Sequence, residues 1–246
     1  MRDRLTREQI GLLVGLPIMV LVVFGGWLIW RSTAELDSIE SRQLAWATIG
    51  QLTREHIVIT VICTLVVVCT AIPIGIALTR PGVRRIAPVV EAVANAGQSA
   101  PAIGLLVLLA IWIGFGLGTA VLALSLYAFL PVLRNTITGL QAVDPSLVEA
   151  GRGMGMSALA VLLRLELPVA IPVIMAGVRT ALVLVVGTAT FATFINAGGL
   201  GALIQTGITL FRFKVLVSGA LLVALLALIV DWIGRVLEML VKPKGL

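Results

Sequence analysis

Two clusters of residues carry most of the polar chemistry in this chain. The first is Glu149-Ala150-Gly151-Arg152-Gly153-Met154-Gly155, followed nine residues later by Leu165-Glu166-Leu167-Pro168. The second is Glu91, Asn95 and Gln98, spaced four and three apart within an apolar run, which puts them on one helix face. Neither is a catalytic set. There is no glycine-rich phosphate loop ending in Gly-Lys-Ser/Thr, no His-Glu-x-x-His and no Gly-x-Ser-x-Gly, so the chain reads as a non-enzyme that cannot hydrolyse ATP alone. One histidine and no Cys/His cluster leave no expected metal or other cofactor. Cys63 and Cys69, six apart on one apolar run, point to different faces and read as small packing residues.

The elements that must position these clusters are membrane helices. Of 246 residues 59% are hydrophobic and only 12% charged, more apolar surface than a soluble domain of this length can hide. Apolar runs long enough to cross a bilayer recur at about Ile10–Trp30, His56–Leu78, Ile86–Ile113, Leu117–Leu133, Val169–Ala189 and Val215–Leu237. The expected fold is therefore all-α, a polytopic helical membrane protein with about six spans, divided as 1–55 (first span and outside loop), 56–237 (core) and 238–246 (tail). The first run is too long for a signal-peptide core and reads as an uncleaved span. A net charge of +6 does not point to nucleic acid, because the basic residues stand singly at span ends. With both termini inside, twelve Lys/Arg fall on the inner side (Arg80, Arg84, Arg85, Arg134, Arg152, Arg164 and Arg235 among them) against five outside, with Arg179 in a span.

That orientation puts the first cluster on the cytoplasmic side. Asp144 is expected to cap a short helix beginning at Pro145, with Ser146 and Glu149 at capping-box spacing. Gly151, Gly153 and Gly155 are expected to interrupt it. Ser157 can cap a second helix, 158–167, which Pro168 stops or from which it starts the next. The product is a polar helical knob beside the bilayer. Its spacing resembles the signature of permease subunits of ATP-driven importers: E-A-A, three residues, G, nine residues, I-x-L-P. Here Gly151 replaces the second alanine and Leu165 the isoleucine. The resemblance implies a type I ABC importer permease-like (MetI-like) fold, with Glu149, Ala150, Gly151, Gly153, Met154, Gly155, Leu167 and Pro168 coupling to a cytoplasmic ATPase subunit.

A second resemblance narrows the family. Gly177-x-Arg179, Gly187-Thr188-Ala189-Thr190 and Asn196-Ala197-Gly198-Gly199-Leu200-Gly201 are similar to segments of osmoprotectant permeases, which import glycine betaine, choline, carnitine or proline betaine. It implies an outer gate at Gly198, Gly199 and Gly201, though a flexible loop would look alike. It also implies partners: ATPase subunits, an extracytoplasmic binding protein, a second permease subunit and the lipid bilayer. Asn95, Gln98, Thr190 and Asn196 are candidate translocation-path residues, with a packing face as the alternative for Asn95 and Gln98.

The remaining features are plainer. The loop from Arg31 to Glu55 is either a landing surface for a binding protein or a solvated linker. His56 reads as a span end. Arg179 is expected to snorkel or to pair with a carboxylate such as Glu91, and Asp231 with Arg235 four residues on. The tryptophans are dispersed near span ends and do not make a quaternary-ammonium cage. Competing readings are an importer permease for an amino acid or sulfonate, or an ion-coupled secondary transporter, for which midplane acids and matched broken helices would be needed.

Overall fold

A computed structural model describes residues 7–241. Among them every regular element is helical: α1 Arg7–Thr33, α2 Ser38–Gln43, α3 Trp46–Leu78, α4 Ala87–Ser99, α5 Ala102–Ile113, α6 Leu117–Gln141, α7 Pro145–Gly153, α8 Ala158–Val161, α9 Leu167–Thr188, α10 Gly201–Thr209 and α11 Phe213–Val241. A π turn (Leu162–Glu166) joins α8 to α9, and a 3-10 segment (Ala189–Ile195) continues α9. Five stretches are long and apolar enough to cross a membrane, and α4 with α5 makes a sixth if counted as one broken span.

The centre is the trio α3, α6 and α9. Their buried faces are Ile59, Cys63, Val67 and Ala71; Ala120, Leu124, Ala128, Val132 and Leu133; and Ala170, Ile174, Val178, Ala181 and Val185. Lipid tails are as apolar as leucine, so hydrophobicity alone does not drive these helices together; close approach does. A Cβ on Gly75 would lie 2.7 Å from Thr136 Cγ2, and one on Gly177 would lie 2.6 Å from Asn135 Cβ. The buried Thr60 and Thr136 hydroxyls are satisfied on their own helices, Thr136 by donating to Val132 O at 2.7 Å. A second cluster (Trp27, Leu44, Ile49, Leu200, Leu203, Val215, Leu222, Val223) fastens α1 and the outer segments to α11. Trp27 Nε1 donates to Ser218 Oγ (3.0 Å) and Trp232 Nε1 to Leu13 O (2.9 Å), pinning α1 at two heights.

Several span boundaries differ from expectation. The helix expected from His56 begins at Trp46, because the sequence Trp46–Glu55 has no proline, its one glycine (Gly50) is tolerated within the helix, and its polar residues Gln51 and Arg54 are exposed. The run Ile86–Ile113 is not one straight span: α4 and α5 meet at 96°. Pro101 causes this, since it removes a backbone donor and drives Ala100 into an extended conformation (φ −68°, ψ 146°). The fourth helix runs past Leu133 to Gln141, so Arg134 and Asn135 lie within it.

The loop from Arg31 contains α2, capped by Asp37, which accepts from Ile39 N (2.9 Å) and Glu40 N (2.8 Å). The Glu40 N–H, ahead of its other partners, holds the Asp37 carboxyl below the usual carboxylate range. Arg212 pairs with Asp37 (3.0 Å) and Lys214 with Glu40 (3.2 Å), so this loop is tied down to the α10–α11 connection.

Candidate functional site

The elbow between α7 and α8 is built by three local devices. Asp144 accepts from Ser146 N at 2.8 Å and starts α7, with Pro145 in its first turn; the expected Ser146–Glu149 box does not form because Asp144 already holds the cap. The Ser146 hydroxyl, and then its N–H, hold the Asp144 carboxyl below the usual range. Contrary to expectation, α7 continues through Gly151 and Gly153 and stops only at Gly155. Gly155 has φ +82°, Met156 N donates to Gly151 O (3.1 Å) and Gly155 N to Arg152 O (2.9 Å). This is a Schellman stop with glycine at C′, where any other residue carries a steric cost. Ser157 Oγ then accepts from Ala160 N at 3.3 Å and starts α8.

The second helix does not end before Pro168 but passes into α9 through the π turn, where Leu167 N reaches back to Leu162 O. A wider turn there relieves the clash a proline ring makes with the carbonyl one turn earlier. The two departures from the importer signature meet in space. A Cβ at Gly151 would stand 2.5 Å from Leu165 Cδ1, so leucine at 165 fills the volume that alanine at 151 would have used.

Glu166, buried in the π turn, receives Arg80 in a bidentate pair: Nη1 to Oε1 at 3.2 Å and Nη2 to Oε2 at 2.5 Å. These residues line a cavity of about 640 Å³ under the elbow, with Thr79, Arg84, Gln141, Glu149 and Arg152 on its wall. Among the described residues Arg84, Arg152 and Glu149 make no ion pair. On the outer face Glu149, Ala150, Gly153 and Met154 are exposed, Met154 at 74%. Leu167 and Pro168 are half-buried at the root of α9. The elbow is thus an exposed knob whose base is fastened to the end of α3 and the root of α9.

The candidate path and gate residues lie elsewhere. Asn95 is exposed and Gln98 half-buried on α4; Thr190, half-buried, donates to Gly187 O (2.7 Å); Asn196, exposed, sits at φ 59°. Among the described residues no hydrogen bond joins any of these four, so the structure does not bring them into one polar cluster. Gly198 and Gly199 have φ +84° and +97° and form a turn against α3, while Gly201 packs on the Thr190 carbonyl, where a Cβ would stand at 2.0 Å.

This turn is held by a residue pair that composition and spacing left unassigned. Glu55 Oε2 accepts from Gly199 N (3.0 Å), His56 Nδ1 from Leu200 N (3.3 Å), and His56 Nε2 meets Val186 O (2.9 Å). A backbone N–H bonds only to an unprotonated ring nitrogen, so Nε2 carries the proton and donates. His56 is fully buried and is not a span end at water. Its signal in the sequence was that it is the lone imidazole in an apolar run. Arg179 does not pair with Glu91; it reaches Asp231 (3.6 Å) and Glu238 (3.0 Å), while Glu91 takes Arg134 (3.6 Å). The bend after α4 directs that helix to α6, away from α9. Asp231 and Arg235 pair as expected at 2.8 Å.

Up to six apolar spans and an exposed elbow rooted in their core define a polytopic helical membrane protein. Residues 71–243 match the family described as "Binding-protein-dependent transport system inner membrane component", and the chain belongs to it. It is similar to the glycine betaine/carnitine/choline transport system permease protein OpuCB of Bacillus subtilis (strain 168), with 40% identity over 194 residues, 79% of this chain and 88% of that one. It is also 37% identical over 203 residues to the osmoprotectant import permease protein OsmW of Salmonella typhimurium, covering 80% and 94% of the two chains. Among solved structures, the inward-facing MetNI methionine ABC transporter overlays with a TM-score of 0.68 at 24% identity, covering 79% of this chain and 96% of that one, which shows a shared fold.

Proposed function

We propose that the chain is the permease of an ATP-driven importer for a quaternary-amine compatible solute of the glycine betaine, choline, carnitine or proline betaine type. It works by alternating access, paired with a second permease subunit, identical or not. Both termini and the elbow face the cytoplasm, where ATPase subunits grip the elbow, and an extracytoplasmic binding protein delivers the solute. ATP hydrolysis belongs to the ATPase subunits. The observation that carries this reading is the elbow: an exposed helix–turn–helix, stopped by Gly155 and rooted in α3 and α9. A rigid knob of this kind accepts a push and passes it to the bundle. The cargo class rests on the relatives' names and on the 177–201 segment.

Recognition of the cation falls to the binding protein. Trp27 is buried and hydrogen bonded to Ser218, Trp46 is already covered by the Arg31 guanidinium at 4.3 Å, and Trp112 stands alone on α5. Among the described residues no set of aromatics converges on an open site. An ion-coupled mechanism finds less support, since Asp231 and Glu91, the acids of the apolar runs, are both neutralised by arginines. The test is reconstitution with the cognate ATPase and binding protein and uptake of labelled glycine betaine, choline, carnitine and proline. ATP-dependent uptake of a quaternary amine is expected. Uptake driven by an ion gradient without ATP, or of an unrelated solute alone, overturns the proposal.

A further inference from the structure

α3 is gripped at both ends by side chains that reach other elements. At its C-terminal end Arg80, two residues past Leu78, donates from Nε to Ile76 O (3.4 Å) and closes on Glu166 at the root of the elbow. Near its other end two consecutive residues, Glu55 and His56, hold the backbone N–H groups of Gly199 and Leu200. His56 also bonds the Val186 carbonyl of α9, so one imidazole joins three elements. Gln51 Nε2 donates to Glu55 Oε1 at 2.9 Å and fixes the carboxylate that faces the turn. The fit is tight: a Cβ on Gly198 would lie 2.3 Å from Glu55 Oε2, and one on Gly199 3.2 Å from His56 Nδ1.

The chain also links elbow and turn directly, through α9. That route is the softer one. It begins in a π turn, passes through the 3-10 segment Ala189–Ile195 and ends at Asn196 in a left-handed conformation. A 3-10 stretch has poorer hydrogen-bond geometry than an α-helix and often marks a hinge, and a π turn is a local bulge in the hydrogen-bond ladder. Between Glu55 and Leu78 α3 has no such interruption, although Pro73 lies within it, and spans about 35 Å at the α-helical rise.

We propose that α3 is the strut that carries displacement of the elbow to the Gly198–Leu200 turn, fastened at one end by Arg80–Glu166 and at the other by Glu55 and His56. The four are positioning residues for transport. The inference rests on the reading of the elbow as the ATPase contact and of the turn as the outer gate. Its physical content is that both fastenings stay closed through the cycle, so that elbow, strut and turn move as one body against the rest of the bundle.

The test uses the importer copurified with its ATPase, reconstituted with the binding protein, in a chain carrying Cys63→Ala and Cys69→Ala. R80E and E166R singly, and E55A, are expected to lower solute transported per ATP hydrolysed about tenfold while basal hydrolysis persists. The double exchange R80E/E166R and the conservative E55Q, which keeps an acceptor oxygen facing Gly199, are expected to recover most of it. Cysteines placed at positions 80 and 166 lack the ion pair and are expected to couple poorly until a short bis-maleimide joins them, which should raise transport per ATP back toward the wild-type value. Wild-type stoichiometry in R80E and E55A overturns the strut, and so does arrest by the crosslink, which would make the pair a latch that must open. The crosslink decides even where a charge variant fails to assemble. A wild-type complex without ATP-driven uptake sinks the importer reading instead, and is seen before any variant is made.

Discussion

At the scale of single residues, the elbow depends on backbone geometry more than on side-chain chemistry. Nothing lies within 4 Å of a Cβ placed on Gly155, so space is not what demands glycine; the φ of +82° is. The left-handed conformation costs a β-branched residue roughly 1–2 kcal/mol, enough to reshape a short exposed turn without unfolding the bundle. Gly155→Val is therefore expected to insert at normal levels yet lose ATP-driven uptake, while Gly155→Asn, which tolerates that conformation, keeps most of it. Parallel measurements of membrane abundance and uptake separate the two. Normal uptake in the valine variant would remove the elbow from the mechanism. A second expectation concerns the methyl exchanged between positions 151 and 165. Gly151→Ala alone pushes against Leu165 Cδ1 at 2.5 Å and should lower the thermal midpoint of the purified protein, at a cost of about 1 kcal/mol because the displaced atom ends a flexible side chain. Adding Leu165→Ile should restore it. Equal midpoints for all three proteins would show that the two positions are independent.

Element by element, the sequence spoke clearly where a single rule dominated and poorly where two competed. The caps at Asp144 and Ser157 were readable because short polar side chains stand just ahead of helix-forming runs. The α4–α5 bend was not, since Pro101 can kink a helix or end it, and only packing against α6 and the outer segments decides which. Likewise Gly151 and Gly153 read as breakers, yet the helix runs through both: the missing Cβ at Gly151 lets Leu165 pack close, whereas a Cβ at Gly153 would meet nothing within 4 Å. For Arg179 a carboxylate pairing is legible in the sequence, but the partner is not. Periodicity says that a residue faces inward, not which carboxylate it meets, and the partners came from α11, 52 and 59 residues away in sequence at Asp231 and Glu238. Gly234 leaves room for the arginine stem, whose Cγ lies 3.1 Å from where a Cβ would be. Arg179→Leu should leave Glu238 without its partner and loosen α9 from α11, lowering stability by about 2 kcal/mol given partial exposure of all three groups. Detergent unfolding midpoints would read the loss. If Arg179→Leu with Glu238→Leu is no more stable than Arg179→Leu alone, the charge left behind is not the cause.

For the whole molecule, the direction of the machine depends on which face of the membrane holds the elbow. Charge bias argues for the inside: Arg80, Arg84, Arg134, Arg152 and Arg164 cluster at the elbow end, and Arg31, Arg42, Arg54, Arg212 and Lys214 are spread at the other. The basic residues at the second end are partly spent on local pairs, Arg212 with Asp37 and Lys214 with Glu40, and Arg31 lies on Trp46. Arginines at the elbow end are paired likewise, Arg80 with Glu166 and Arg134 with Glu91, so pairing leaves the count of basic residues as the measure of the bias. Two sites report the orientation without disturbing any contact. Met154 at the elbow is 74% exposed and Phe211, at the α10–α11 connection, is 91% exposed. With Cys63 and Cys69 replaced, a cysteine at 154 should react with an impermeant maleimide only after the membrane is opened, and one at 211 should react in intact cells. In the presence of the ATPase the cysteine at 154 should also become protected, since the partner covers the knob. Labelling of position 154 from the outside would leave the elbow facing away from any nucleotide, and coupling through α3 and α9 would then have nothing to transmit.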